Sequence, residues 1–166
     1  MADAAAGGDF LNAQIALRRG GEADRAFVLD LGRRTALDSM SAVRQAPAPQ
    51  IEANFERLVA FAFDGSYVLV VAENALDGPL GFCLMLDTLP DEVSGTPQGF
   101  VAYMAVEPDS RRRGVGRALL ATAETAASER GLPHVALMVT ENNVAARELY
   151  AQAGYITERR LLCKTL

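Results

Sequence analysis

Four arginines and two glycines lie where an apolar strand pattern gives way to a helical pattern. The segment MAVEPDSRRRGVGRALLATAET, residues 104–125, contains this change. A helix N-terminus carries unpaired N–H groups and a partial positive charge, so it attracts anions. Glycines let those amides approach an oxygen closely, and guanidinium groups suit phosphate. The spacing therefore predicts a diphosphate-binding turn made of Arg111, Arg112, Arg113, Gly114, Val115, Gly116 and Arg117.

Two common phosphate-binding motifs do not fit this segment. A dinucleotide fingerprint needs a third glycine where this chain has Leu119, and a P-loop needs Gly-Lys-Ser/Thr, which is missing here. A tight strand-to-helix turn with solvated arginines is the alternative, because short glycine motifs are common. From residue types alone, both a phosphate-binding turn and a plain turn remain open.

Two motifs together resemble the GNAT superfamily of N-acetyltransferases. The acyl-coenzyme-A signature of that family, (Gln/Arg)-x-x-Gly-x-(Gly/Ala), falls on Arg111, Gly114 and Gly116. The segment NVAARELYAQAGY, residues 143–155, is similar to a later helix of the family, with its Asn, Ala, Tyr and Gly-aromatic positions. The resemblance covers residues 99–166 well, whereas the first 98 residues match only in the order of their elements.

The resemblance implies an acetyl-CoA-dependent N-acetyltransferase with acetyl-CoA as cosubstrate and no metal. Acetyl-CoA would lie in the gap between the parallel fourth and fifth strands. Its pantetheine arm would pair with the backbone from Met104 to Val106, and amides from Arg112 to Arg117 would hold its pyrophosphate. The arginine side chains would contact the 3′-phosphate or only solvent.

The second motif supplies two further candidates, Asn143 and Tyr150, which share one helix face because they are two turns apart. The resemblance implies that Asn143 contacts the cofactor, with a plain helix cap as the alternative because Asn142 stands beside it. Tyr150 would protonate the departing thiolate, since a phenol with a pKa of about 10 is well matched to a thiol. A tyrosine that only packs is the alternative.

A general base for the attacking amine is harder to find. Some family members place a Glu or His early in the fourth strand, where this chain has three residues that cannot accept a proton: Gly99, Phe100 and Val101. Glu73 and Glu107 are weak substitutes, and proton loss to water or attack by a neutral amine fits equally well. We expect Tyr103 to alternate with core residues and His134 to have a structural or solvent role.

The acceptor site would be built from two loops, residues 35–49 and 86–99. Asp87, Asp91 and Glu92 could attract a cationic amine, with a solvated loop as the alternative. We expect a small-molecule or peptide amine. A non-catalytic acyl-CoA-binding or regulatory module, and transfer of a longer acyl chain, stay open as alternatives.

The order of elements that would position these residues is β-α-α-β-β-β-α-β-α-β. Hairpin-linked strands come first, then a strand-helix-strand crossover, which predicts a mixed sheet with helices on both faces, an α/β (α+β) fold. The family resemblance adds that the sheet is V-splayed. We predict six to seven strands, of which residues 156–166 form one or two.

The composition of the chain limits the partners and the location that we expect for it. The chain has 166 residues, 50% of them apolar, and a net charge of −5, which argues against nucleic acid as a partner. Cys83 and Cys163 lack metal-ligand spacing, and no apolar run is long enough to cross a bilayer. We predict a disordered tail at residues 1–10, a single domain at residues 11–166, and a cytoplasmic protein without a membrane partner. A homodimer stays open.

Overall fold

The computed structural model describes residues 15–166, within which there are five strands and four α-helices. The strands are β1 (Ala16–Arg19), β2 (Tyr67–Asn74), β3 (Gly78–Leu86), β4 (Gly99–Val106) and β5 (Val135–Leu137). The α-helices are α1 (Arg25–Ala36), α2 (Ala48–Phe63), α3 (Val115–Glu129) and α4 (Val144–Gln152). The predicted tail, residues 1–10, and the first residues of the predicted domain lie outside the described part of the chain.

The sheet is mixed, as predicted. Its strand order is β1-β2-β3-β4-β5, and every neighbouring pair is antiparallel except the parallel pair of β4 and β5. The hairpin turn between β2 and β3 spans residues 75–77, and Gly78, the first residue of β3, has a φ of +74°. The Asn74 carboxamide oxygen accepts from the amides of Leu76 and Asp77 and closes that turn.

The core consists of two layers, one on each face of the sheet. Cys83 and Met85 of β3 pack with the buried face of α3, which includes Leu119 and Ala123. Phe82 and Leu84, which alternate with them, pack on the opposite face against α1 and α2. Because β3 is buried on both faces, its sequence is almost continuously apolar. The prediction of helices on both faces is confirmed.

A β-bulge in β4 marks the middle of the sheet. Leu84 of β3 pairs with Tyr103, whereas the next residue, Met85, pairs with Val101. Ala102 is therefore the extra residue, and Ala102 and Tyr103 both pack on the α1/α2 face instead of alternating. A bulge bends its strand and increases the local twist. The pairing of β4 with β5 ends at this position, at Val101 and Leu137, although β4 continues to Val106.

The predicted strands at the C-terminal end are not observed. Residues 156–166 have no regular secondary structure, and β5 has only three residues. The predicted count of six to seven strands is therefore not confirmed within residues 15–166. Arg159 instead pairs with Asp91 and Glu92 in the loop between β3 and β4. The segment has a strand-like sequence pattern but pairs with no strand within residues 15–166.

Candidate active site

The turn between β4 and α3 has the backbone of an anion site. Arg112 has a φ of +62°, and it is the one non-glycine residue with positive φ among residues 15–166; Gly114 follows with a φ of +82°. Left-handed residues turn successive N–H groups toward one side, as in anion-binding nests. Gly114 is the N-cap of α3 and provides no side-chain cap. The first amides of α3 therefore keep free N–H groups.

The four arginines of this turn divide into one with partners and three without. Arg111 donates to the Asp38 carboxylate at 3.0 Å and to the Val106 carbonyl at 3.2 Å, so it ties the turn to the segment after α1 and to the end of β4. The other three are exposed, and no carboxylate of residues 15–166 forms a salt bridge with them: Arg112, Arg113 and Arg117. Three guanidinium groups are thus available to a phosphate.

Gly116 lies where three elements converge. A Cβ atom added at Gly116 would be 3.4 Å from Leu149 Cδ2 of α4, 3.8 Å from Val106 Cγ2 and 4.0 Å from Met104 Cε of β4. Beyond the bulge, the β5-facing edge of β4 has no strand partner among the described residues. The free edge of β4, the start of α3 and the middle of α4 therefore meet at one place, the slot, which is defined by Met104, Val106, Gly116 and Leu149. Val115, beside Gly116, is buried in the core.

Tyr150 stands on α4 next to this slot. Its side chain packs against the core layer that contains Met104 and Val106. Burial raises the pKa of Tyr150 to about 12, with a smaller contribution from the buried Cys83 thiol. Burial likewise raises the pKa of Cys83 to about 12. The Tyr150 phenol thus stays protonated at neutral pH.

Tyr155, which was not predicted from the sequence to be a functional residue, packs beside Tyr150. The two rings lie 5.8 Å apart, and the Tyr155 amide donates to the Tyr150 carbonyl at 3.0 Å. Burial, with the neighbouring Glu124 carboxylate, raises the pKa of Tyr155 well above its usual range. The Tyr155 hydroxyl is buried and has no hydrogen-bond partner within residues 15–166. The Gly-aromatic motif was the only sequence signal that could have pointed to it.

Asn143 forms the helix cap that the sequence left open as an alternative. Its carboxamide oxygen accepts from the Ala146 amide at 3.2 Å at the start of α4. Its NH₂ group has no partner in the described chain, so capping does not exclude a cofactor contact. Asn142 donates to the Met40 carbonyl at 3.2 Å and links the loop after α1 to the loop before α4.

The candidate bases are all engaged or remote. Glu73 accepts from Arg18 at 2.6 Å, and Glu107 forms two hydrogen bonds with Arg34, at 2.7 and 3.0 Å. Tyr103 packs against the Phe55 ring, and its hydroxyl lies 3.3 Å from the Thr35 hydroxyl; the bulge at Ala102 interrupts the alternation that was expected for it. His134 is exposed. No base is therefore positioned beside the slot among these residues.

The acidic residues of the β3–β4 loop already have arginine partners. Asp87 accepts from Arg130 at 2.8 Å, while its second carboxylate oxygen is buried without a partner in the described residues. Asp91 accepts from the Ser94 amide and hydroxyl and pairs with Arg159, which together hold its pKa well below the usual range. Glu92 pairs with the same Arg159 at 3.3 Å. These ion pairs reduce the attraction that the loop could offer to a cationic amine.

No group of three or more His, Cys, Asp or Glu side chains in residues 15–166 is arranged to hold a metal ion. None of the helices found there is long and apolar enough to cross a membrane.

Solved structures with the same fold cover nearly the whole chain. A Pyrococcus furiosus protein superposes with a TM-score of 0.79 at 24% identity, over 92% of this chain and 100% of its own. A Clostridium acetobutylicum protein solved with acetyl-CoA superposes with a TM-score of 0.64 at 19% identity, over 90% of this chain and 96% of its own. An aminoglycoside acetyltransferase from an uncultured soil sample, solved with sisomicin, superposes with a TM-score of 0.64 at 15% identity, over 94% of this chain and 97% of its own. At such identities these likenesses show the fold.

Sequence comparison shows the family. GCN5-related N-acetyltransferase 7, chloroplastic, of Arabidopsis thaliana is 29% identical over 138 residues, which is 76% of this chain and 48% of that protein. This chain thus spans about half the length of that relative. A model of the Acetyltransferase (GNAT) family matches residues 35–155, which include the turn, the slot and Tyr150. The chain therefore belongs to the GNAT family of acetyltransferases.

Proposed function

We propose that this chain is an acetyl-CoA-dependent N-acetyltransferase that acetylates a primary amine. The observation that carries the proposal is the slot beside Gly116, where a bent strand with a free edge meets the uncapped N-terminus of a helix. A thin arm that ends in a diphosphate suits a free strand edge that leads to a helix N-terminus with unpaired amides. The GNAT family membership and the acetyl-CoA in a protein of the same fold support this choice.

The residues of the turn would bind the cosubstrate by its charge. Free amides from Arg112 to Arg117 would hold the diphosphate, and the unpaired guanidinium groups would contact phosphate oxygens. Met104 and Val106 would line the slot along the pantetheine arm, and the free NH₂ group of Asn143 would donate to it. Acetyl-CoA, when bound, supplies an activated acetyl group and a thiol leaving group.

Tyr150 would act as the general acid. The amine nitrogen forms a bond to the thioester carbonyl carbon, the carbon–sulfur bond breaks, and the sulfur takes the proton of the Tyr150 hydroxyl. Solvent then reprotonates the phenolate. Because burial raises the pKa of Tyr150 to about 12, the donor is protonated before each turnover. The amine would lose its proton to water, since none of the candidate bases within residues 15–166 is positioned at the slot.

The acceptor would be a small-molecule or peptide amine that enters between residues 35–49 and 86–99. A protein of the same fold was solved with the amine sisomicin, which supports the small-molecule class. The proposed location is the cytoplasm, which suits the two unpaired cysteines, Cys83 and Cys163.

Calorimetric titration with acetyl-CoA tests the proposal. We expect micromolar binding by the wild type and a loss of binding in Gly116→Leu, whose larger side chain would fill the slot. Gly116→Ala is the matched control, because a single added carbon makes only ordinary contact with Leu149. Thermal melting of both variants shows whether they fold.

Amine-dependent thiol release, measured over a panel of amines, tests the chemistry. Absence of acetyl-CoA binding by the wild type would overturn the cofactor assignment. Binding without thiol release for any amine would instead favour a non-catalytic acyl-CoA-binding module.

A further inference from the structure

Arg44 is an exposed guanidinium group without a counter-ion, on one side of the proposed acceptor entrance. It forms no salt bridge within residues 15–166. Its side chain donates to the Cys163 thiol at 3.4 Å, and a thiol is a weak acceptor. The one acidic residue of the same segment, Asp38, is already paired with Arg111 at 3.0 Å. Residues 35–49 thus offer a free positive charge, while their negative charge is matched.

The acids of the neighbouring segments are matched as well. In residues 86–99, Asp87 pairs with Arg130, and the other two acids pair with Arg159. In the loop before α4, Glu141 forms a salt bridge with Arg147 at 3.1 Å. An amine with several positive charges would therefore gain little attraction here, and Arg44 would repel it. The charges favour an acceptor that carries a negative group.

Three apolar side chains are exposed on two segments that touch each other beside this entrance. Leu37 is 51% exposed, Val43 is 52% exposed, and Val144, the first residue of α4, is 57% exposed. The Asn142 side chain donates to the Met40 carbonyl at 3.2 Å, which joins the two segments. We call Leu37, Val43 and Val144 the apolar rim. It suits an acceptor with apolar side chains.

The candidate bases favour an amine of low pKa, because none of those within residues 15–166 is positioned at the slot. Only a neutral amine can attack the thioester. The α-amino group of a peptide, with a pKa of about 7.7–8.0, is roughly one-third neutral at about pH 7.5. A lysine-type amine, with a pKa of about 10.4, is neutral in only about 0.1% of molecules at that pH. An α-amine therefore needs a base least.

We propose that the acceptor is a short apolar peptide, whose α-amine takes the acetyl group and whose C-terminal carboxylate pairs with Arg44. This inference rests on the proposed acetyl transfer. The peptide nitrogen forms the bond to the acetyl carbonyl carbon and releases a proton to water, while CoA leaves as the thiol. The apolar rim would pack against the side chains of the peptide. Arg44 would determine specificity without taking part in the chemical step.

Thiol release with matched acceptors tests the inference. Leucyl-leucine and leucyl-leucinamide have the same side chains, but only the first has a carboxylate; spermidine serves as the polycation. We expect kcat/KM for leucyl-leucine to exceed that for the amide by about 10-fold or more. Arg44→Gln should remove this difference, mainly by raising KM for leucyl-leucine. Arg57→Gln is the matched control, because Arg57 is an exposed arginine in the second half of α2 that donates to Asn54, and the preference should remain.

Three kinetic results would overturn the inference: equal kcat/KM for the peptide and its amide, a higher kcat/KM for spermidine, or a preference that survives Arg44→Gln. Calorimetry with the acetylated product, N-acetyl-leucyl-leucine, needs neither acetyl-CoA nor turnover. We expect its binding to weaken about 10-fold in the amide form or in Arg44→Gln.

This titration separates the acceptor inference from the proposed function. Product binding that depends on Arg44, in a protein that does not bind acetyl-CoA, would support the peptide site and overturn only the cofactor assignment. A protein that binds acetyl-CoA, but binds the product no better than its amide, would overturn only the acceptor inference.

Discussion

At the scale of single residues, the Tyr150 hydroxyl carries the proposed proton transfer. Tyr150→Phe keeps the ring in its packed position and removes only the donor, so kcat should fall by about 100-fold or more. Affinity for acetyl-CoA should change little. Tyr155→Phe makes the same chemical change in the adjacent ring, whose hydroxyl has no partner in the described chain, and should leave kcat near wild type. Steady-state thiol release and calorimetry measure both; an equally fast Tyr150→Phe would exclude Tyr150 as the acid.

The pKa of Tyr150 also predicts how turnover depends on pH. A tyrosine donates only in its protonated form, which persists below its pKa, and burial raises that pKa from the ordinary 10.0 to about 12. Turnover should therefore rise or level off as the amine deprotonates and should not decline up to about pH 10. A profile of kcat between about pH 7 and pH 10 checks this. A decline of kcat in that range that is absent in Tyr150→Phe would show that the Tyr150 hydroxyl has a lower pKa than this.

The two glycines of the turn should respond in opposite ways to replacement by alanine. Gly114 has a φ of +82°, so Gly114→Ala should cost about 1–2 kcal/mol of stability. Gly116 lies in the first turn of α3, where alanine is the better helix former and its Cβ has room, so Gly116→Ala should be neutral or stabilising by up to about 1 kcal/mol. Thermal or denaturant unfolding measures the difference. Equal destabilisation would mean that the backbone at Gly114 is not constrained as described.

At the scale of elements, the packing of α1 on α2 depends on Gly32. A Cβ added at Gly32 would overlap the ring of Phe55, which is buried and in turn packs against Tyr103. Gly32→Ala would raise helix propensity, yet the overlap should make it destabilising by about 1–3 kcal/mol. Denaturant unfolding should show that Phe55→Leu recovers part of this loss in the double variant, because the ring is then absent. Additive effects of the two changes would contradict the overlap.

The elements differ in how well the sequence predicts them, and the difference follows from the range of the interactions. The α3 helix (Val115–Glu129) and the hairpin between β2 and β3 depend on local glycine and periodicity signals, which are visible in the sequence. The bulge at Ala102 breaks alternation in a run that is apolar on both faces, so its sequence does not reveal it. Ion pairs such as Arg111–Asp38 join residues far apart in sequence. The segment 156–166 has a strand pattern, but a pattern does not name the partner strand.

At the candidate site too, local features can be predicted from the sequence, whereas contacts between elements cannot. The positions of the turn and of Tyr150 follow from two short motifs, because each motif occupies the start or the face of one helix. The cap formed by Asn143 is local and was an open alternative. The role of Tyr155 and the engagement of Glu107 by Arg34 depend on how α4 packs and how α1 meets β4. Contacts between elements therefore had to come from the structure.

At the scale of the whole molecule, association of two copies would couple stability to concentration. Residues 156–166 expose the large apolar side chains of Ile156, Leu161 and Leu162. If this segment takes part in a homodimer, association favours only the folded state, so the melting temperature rises with protein concentration. Over a hundredfold range the rise should be a few degrees, roughly 3 °C or more. A chain that ends at Arg159 should melt at one temperature over the same range, because it lacks Leu161 and Leu162. Scanning calorimetry or fluorescence melts of both chains make this comparison. A wild type whose melting temperature is constant would show that the chain stays monomeric over this range.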